Sequence, residues 1–284
     1  MTGASGFLGN NILRNSNENY KYGAIVRSST NLDIFQNKIS NKNLIDCEKK
    51  DSEVFQKIKE FEPDVLIHCA CSYGRKNETS EQIFNSNFSF GIEVLKYLIK
   101  LDKNILFLNI GTPLKKSTNE YALTKNFFLE YSELMLKEKF TKIKFIHLLP
   151  QHFFGYGDDE TKFTSFIINS LKKNISELHL TSGEQERDFF HIEDLISAID
   201  VIIKNRNELE NFKRIEIGSG KTVTVKNFVE LSKKLIGSNT SLNFGSIKLR
   251  ENEVMKMKAD ISYIKSLGWK LKYPLKQAIE KSIT

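Results

Sequence analysis

The sequence predicts an α/β protein: a doubly wound parallel sheet with a smaller C-terminal lobe. Three observations predict it. "PDVLIHCAC", "NILFLNIGT" and "IKFIHLLP" are near-continuous apolar runs, as strands buried on both faces of a parallel sheet require. Amphipathic stretches such as "NFSFGIEVLKYLIK" and "NEYALTKNFFLEYSELMLKEK" alternate with them, which implies βαβ units. The chain opens on "MTGASGFLGN", where Gly3, Gly6 and Gly9 fall three apart. With 284 residues, 40% of them hydrophobic and 27% charged, the chain is long enough for a substantial core.

The elements follow in order. The glycine loop turns into a helix at the apolar pair Phe7 and Leu8. A buried strand, central in the sheet, is expected directly before such a loop, so the natural chain is expected to hold apolar residues upstream of Met1. "YKYGAIVR" reads as the next strand and "KNLIDCE" as a weaker one, followed by the three apolar runs. Ser117 and Glu120 match a capping box, which starts a helix at "NEYALTK". Residues 1–150 are therefore expected to form one domain. Beyond "GYGDDETK" the pattern is less regular. "FTSFIINSLKK" and "IEDLISAIDVIIKN" read as helices, "RIEIGSG" and "SLNFGS" as short strands, "ADISYIKSLGW" and "PLKQAIEKSIT" as short helices. Residues 151–284 are expected to be mainly a substrate-binding lobe, with a segment near 188–220 returning to the first domain.

Composition narrows the function classes. No run of 18 apolar residues predicts a membrane span, and no leader pattern is seen, so a cytoplasmic protein is expected. Cys47, Cys69 and Cys71 are too few for a disulfide framework. A metal at Cys69, Cys71 and His68 lacks a second ligand cluster, so none is expected. The net charge is +7, but the lysines are interleaved with acids, as in "KNFFLEYSELMLKEK". That is a solvated surface, not a nucleic-acid patch, although an anionic diphosphate substrate would gain from the field.

Two constellations carry chemistry. The first is G-x-x-G-x-x-G, whose glycines allow a tight turn and whose following helix aims its amides at a pyrophosphate. An acid at the tip of the next strand would bind the ribose hydroxyls of NAD. Here the tip is Arg27 and Ser28, a guanidinium and a hydroxyl that suit a 2′-phosphate, so NADPH is expected. Asp46 ends the following strand within reach of an adenine amino group. The second constellation is Tyr121 and Lys125, four apart on one helix face, with Thr112 ending the strand before them. An ammonium near a phenol lowers its pKa of about 10 toward acid–base work at neutral pH.

Together these motifs resemble the extended short-chain dehydrogenase/reductase family of nucleotide-sugar epimerases, dehydratases and reductases, which has a Rossmann fold. "TGASGFLG", "DVLIHCA", "FNSNFSFG", "YALTK", "ERDFFHIEDL" and "LREN" carry the resemblance almost end to end. It implies that Gly3, Gly6, Phe7, Leu8, Cys47, Cys69, Ala70 and Lys125 also line the cofactor. It implies that Tyr121 protonates the substrate oxygen, Lys125 holds the nicotinamide ribose and Thr112 orients the carbonyl. Asn87, His152, Arg187 and Arg250 would bind the sugar or the diphosphate. "HFFGYGDDETKF" and "LTSGEQERDF" are similar to the CDP-abequose and CDP-paratose type of 4-ketoreductase. Family dehydratases carry an Asp-Glu pair after the threonine; here Pro113 and Leu114 stand there. A 4-ketoreductase using NADPH is therefore the leading expectation, and a 4-epimerase with bound NAD the alternative. A non-catalytic NADP-binding regulator is the alternative of another class. The resemblance also implies a homodimer.

Overall fold

The computed structural model describes every residue except Ser16, Asn17, Gln36, Asn37, Phe140, Asn252 and Thr284. The chain divides into two compact units, Met1–Leu149 with Ile202–Ile215, and Pro150–Val201 with Glu216–Thr284.

Unit 1 is built on parallel strands. Its strands are β1 (Ala24–Val26), β2 (Leu44–Asp46), β3 (Val65–His68), β4 (Ile105–Ile110) and β5 (Ile143–Pro150). β1 pairs with β2, β3 with β4 and β4 with β5, all in parallel register. Every residue of β4 is buried, which is why its sequence is apolar without alternation. Between the strands lie α1 (Phe7–Arg14), α2 (Asp51–Phe61), α3 (Ser80–Phe84), α4 (Phe90–Lys100) and α5 (Glu120–Glu138). A single π-helical turn, Asn85–Ser89, joins α3 to α4. The aromatic core stacks across the sheet: Phe107 lies on Phe145 at 5.1 Å, and Phe145 on Phe212 at 5.4 Å.

The place where a central strand is expected is held by Thr2. It forms parallel bridges to both Ile25 of β1 and His68 of β3. Its N–H donates to the Ile67 carbonyl at 3.0 Å, and its carbonyl accepts from Cys69 at 3.4 Å. Its hydroxyl pairs with His68 Nδ1 at 2.8 Å and accepts from the Ala70 N–H at 3.3 Å. The Met1 amine donates to the Gly23 carbonyl at 2.7 Å. "YKYGAIVR", expected as a strand, forms one over Ala24–Val26, paired with β2.

One cap differs from expectation. Asn119, not Ser117, caps α5, its side-chain oxygen accepting from the Ala122 N–H at 2.9 Å. Asn serves an N-terminus as well as Ser does, and it stands one residue before Glu120.

Unit 2 holds β6 (His152–Phe154), β7 (Glu177–Leu180), β8 (Glu186–Arg187), β9 (Phe189–His191), β11 (Val223–Thr224), β12 (Ser241–Phe244) and β13 (Lys256–Met257); β10 (Phe212–Ile217) joins the unit 1 sheet beside β5. They pair as β6–β9, β7–β12 and β11–β8–β13. The helices are α6 (Phe163–Lys172), α7 (Ile192–Lys204), α8 (Val225–Ile236), α9 (Ser262–Ser266) and α10 (Leu275–Ile283). Phe154, Ile167, Phe189, Phe228 and Ile279 form its core, with Phe189 stacked on Phe228 at 4.3 Å. The C-terminal segment is tied to α7: Asp194 accepts from the N–H groups of Lys272 and Tyr273, and Trp269 Nε1 donates to Ser197 Oγ at 2.9 Å. Among the described residues no helix is long and apolar enough to cross a membrane.

Candidate active site

The glycine loop leaves Thr2 and runs over the end of β3. Gly3 has a φ of +63°, a conformation side chains rarely adopt, and a Cβ there would lie 2.6 Å from the Ala70 nitrogen. A Cβ on Gly9 would lie 2.3 Å from the Gly3 carbonyl oxygen. The loop is therefore pressed against Cys69 and Ala70 and turns at once into α1. Gly6 stands at the N-cap and offers no side chain to the first-turn amides. A cradle of bare backbone before a helix fits a dinucleotide diphosphate. Phe7 and Leu8 open the helix, and Leu8 is buried. Burial pushes the Cys69 thiol up to about 12, so it stays a neutral wall of this cradle.

Beside the loop, the parallel register sets Val26 opposite Asp46, so Arg27–Ser28 and Asp46–Glu48 leave the sheet at the same end. Ser28 is engaged there. Its hydroxyl donates to Asp46 Oδ2 at 2.7 Å and its N–H to Glu48 Oε2 at 3.2 Å. The Glu48 N–H, then the Ser28 hydroxyl, hold the Asp46 carboxyl below its usual range. Cys47, between the two acids, is half-buried, and burial raises its thiol.

Thr112 and Tyr121 are brought together as the spacing requires. The Thr112 hydroxyl lies against the phenol and acts to lower its pKa, and its Oγ1 accepts from the Leu114 N–H at 3.3 Å. The Tyr121 ring packs against Tyr73, tilted by 30° with centroids 4.8 Å apart, and Arg75 lies over the Tyr73 ring at 5.4 Å from its centroid. Burial holds the phenol well above its ordinary value, and Cys71 adds to this; the Thr112 hydroxyl and Arg75 oppose it. Arg75 is thus a cation that acts on the phenol, a part for which the sequence offered Lys125. Lys125 is 1% exposed, and burial lowers its pKa while Cys71 and Cys69 push back. Its charge is felt by His68 and His147, which burial already keeps neutral.

Asn87 sits on the π turn with no exposed surface. Its oxygen accepts from the Ser72 N–H at 2.7 Å; its nitrogen donates to the Ser72 carbonyl at 2.9 Å and to Thr124 Oγ1 at 3.0 Å. The amide is used within the chain, fixing the loop that carries Tyr73 against α5. The Asn87 amide, expected at the substrate, has Ser72 and Thr124 as its partners within the chain. π turns recur at functional sites for this reason: they turn one side chain out of helical phase.

In unit 2, the β6–β9 pairing sets His152 opposite Phe189, two residues beyond Arg187 at the end of β8. The His152 N–H donates to the Asp188 carbonyl at 3.0 Å, and burial, then Arg187, lower the imidazole to about 4. Arg187 is 7% exposed and pairs with Glu253. Arg250 enters the same loop through its carbonyl, which accepts from the Glu253 N–H at 3.2 Å. Asp188, the sequence neighbour that might have paired with Arg187, is engaged elsewhere. It accepts from the Ser219 N–H and hydroxyl, the Gly220 N–H and the Ala259 N–H at 2.6–3.2 Å. Glu48 beside Ser28, Tyr73 beside Tyr121 with Arg75 over its ring, and Glu253 beside Arg187 are neighbours of the candidate residues that sequence reasoning missed; none belongs to a spaced motif.

The signature of the NAD dependent epimerase/dehydratase family matches residues 1–218. The chain belongs to that family. Among curated relatives of this epimerase/dehydratase chain, the CDP-abequose synthase of Salmonella typhimurium is 31% identical, over 99% of this chain and 95% of the relative. A putative UDP-glucose 4-epimerase of Methanocaldococcus jannaschii is 25% identical, over 100% and 96%. Among solved structures, the Thermus thermophilus UDP-glucose 4-epimerase complex with NAD superposes with a TM-score of 0.80 at 14% identity, covering 99% of this chain and 96% of that one. Pal from Bacillus thuringiensis does so with 0.81 at 17% identity, over 99% and 96%. The Rossmann fold expected from the sequence is the fold of this family member.

Proposed function

We propose that this family member reduces a nucleotide-linked 4-keto-6-deoxyhexose, or its 3,6-dideoxy form, to the 4-hydroxy sugar with NADPH. The observation that carries the reading is the Thr112 hydroxyl set against the Tyr121 phenol and followed by Pro113 and Leu114. The pair can protonate a ketone oxygen, and the two residues after it cannot move the protons a dehydration needs. The similarity to CDP-abequose synthase over nearly the whole chain supports a deoxysugar substrate for surface polysaccharide synthesis.

The bound cofactor supplies the hydride. Gly3, Gly6, Phe7 and Leu8 would hold its diphosphate, Cys69 and Ala70 would back it, and Lys125 would bind the nicotinamide ribose. Arg27 would meet the adenosine 2′-phosphate, and Asp46 and Cys47 the adenine. Tyr121 gives its phenolic proton to O4 of the sugar, and Thr112 donates a hydrogen bond to the same oxygen. Arg187, Arg250 and His152 would bind the sugar nucleotide, with a guanidinium fork suited to phosphate oxygens. Phe127, Tyr131 and Leu134 lie exposed on α5 and are the proposed homodimer contact. We place the protein in the cytoplasm, where the NADPH pool is.

The test is NADPH oxidation with 4-keto-6-deoxyhexoses on CDP, dTDP, GDP and UDP, with NMR of the products. Turnover of at least one is expected. Interconversion of 4-epimers with no net NADPH loss would favour the epimerase, the reading the M. jannaschii relative supports. Binding without turnover would favour the regulator. Arg27→Asp is expected to narrow or reverse the NADPH preference, read as Kd for each dinucleotide. An unchanged ratio would remove Arg27 from the 2′ site.

A further inference from the structure

The Arg27–Ser28 corner holds a feature that the 2′-phosphate reading does not absorb. Arg27 and Thr30 close a tight turn: the Arg27 N–H donates to Thr30 Oγ1 at 3.2 Å and the Thr30 N–H to the Arg27 carbonyl at 2.9 Å. That turn presents Ser28 with two donors, its N–H and its hydroxyl. Both are met by carboxylates from the neighbouring strand end, the N–H by Glu48 and the hydroxyl by Asp46. Asp46 is in turn fixed by the Glu48 N–H at 3.0 Å, so the three residues form one closed set. The parallel register of β1 and β2 puts them together; they are 18 to 20 residues apart in sequence.

A 2′-phosphate is a dianion near neutral pH, with strong acceptor oxygens and nothing to donate. It would need the same donors that Glu48 and Asp46 occupy, and its charge would lie against theirs. A free 2′-hydroxyl has the opposite character: it can donate to a carboxylate. Arg27 thus draws the phosphate in while Glu48 opposes it.

We propose that Glu48 is a specificity-determining residue for the cofactor, holding the Ser28 N–H against a 2′-phosphate and keeping NADH competitive with NADPH. This rests on the reading of Arg27 and Ser28 as the adenosine ribose end. Glu48 and Ser28 are exposed, so the effect is a screened one, of several-fold size, and it shrinks with salt.

The test is binding by the full chain without any sugar substrate, by calorimetry with NADPH and NADH at low and high salt. Glu48→Gln keeps an oxygen that accepts from the Ser28 N–H and removes only the charge. It is expected to tighten NADPH about 3–10-fold at low salt, with NADH changed by less than about 2-fold. Glu48→Lys is expected to raise the NADPH to NADH ratio further. High salt should bring wild type and both variants together. Equal tightening of the two cofactors, or no change in either, overturns the role of Glu48 and leaves the dinucleotide site standing. Failure of wild type and variants to bind either dinucleotide overturns both.

Discussion

Tyr121→Phe is expected to fold, to bind NADPH as wild type does, and to lose about 10²–10⁴-fold in turnover number, the usual contribution of a positioned proton donor. The phenyl ring keeps its place, because its packing against Tyr73, with centroids 4.8 Å apart, needs no hydroxyl. What goes is the proton and the hydroxyl set against Thr112. Thr112→Val should lower the turnover number less, since one hydrogen bond to O4 is lost and the donor remains. Lys125→Met should weaken cofactor affinity as well, because the ammonium would hold the ribose. The measurement is single-turnover reduction with cofactor Kd taken separately. Near-wild-type chemistry in Tyr121→Phe would end the proposed mechanism. His152 is then the next group to test, though at a pKa of about 4 it is neutral near pH 7 and must take its proton from elsewhere.

Acidification is expected to unfold the chain from well above the carboxylate range. Burial lowers His147 to about 3, and His152 and His191 to about 4, from an ordinary 6.5. His68 is pushed down in the same direction. The folded state therefore favours neutral imidazole. Above pH 6.5 neither state is protonated and the histidines contribute nothing to pH dependence. Below it the unfolded chain binds protons that the folded chain refuses, so stability falls with pH, and the loss levels off near pH 3–4. One pKa unit is about 1.4 kcal/mol, so the buried histidines together remove several kcal/mol by pH 5. That is a large part of the roughly 5–15 kcal/mol typical of folded proteins. The melting temperature is expected to drop by about 5–10 °C between pH 7 and pH 5. A flat profile over that window would mean that these imidazoles are not held neutral.

The strands were legible because a parallel sheet covered on both faces needs apolar residues without alternation, as β4 shows. The approach of Thr112 to Tyr121 was legible because a strand end and one helix turn fix their spacing. Legibility stopped where a side chain's partner comes from a distant element. Arg187 meets Glu253 across 66 residues, and nothing near Arg187 in sequence announces it. Its neighbour Asp188 looks like the natural partner but is taken by Ser219, Gly220 and Ala259. Asn87 was expected at the substrate from its place in "FNSNFSFG", and nothing in that stretch announces that Ser72 and Thr124 engage its amide. Glu48 and Arg75 sit in polar stretches that read as surface, and register or ring packing alone brings them beside the candidate residues.

The bonds of Asp188 and Asp194 bear on the order in which a growing chain can take shape. Domains form as units while synthesis proceeds from the N-terminus. Most of unit 1 is complete once Leu149 has emerged, apart from Ile202–Ile215. Asp188 waits for Ala259, and Asp194 for Lys272 and Tyr273. Until then two carboxylates on their way to burial lack part of their donor set, and β9 and α7 have no settled frame. A ribosome-bound chain halted between Ser219 and Ala259 would thus carry a formed glycine cradle and phenol but an unframed Arg187. On the proposed function, nucleotide-sugar binding would follow the glycine cradle, once the donors from Ala259 to Tyr273 are in place.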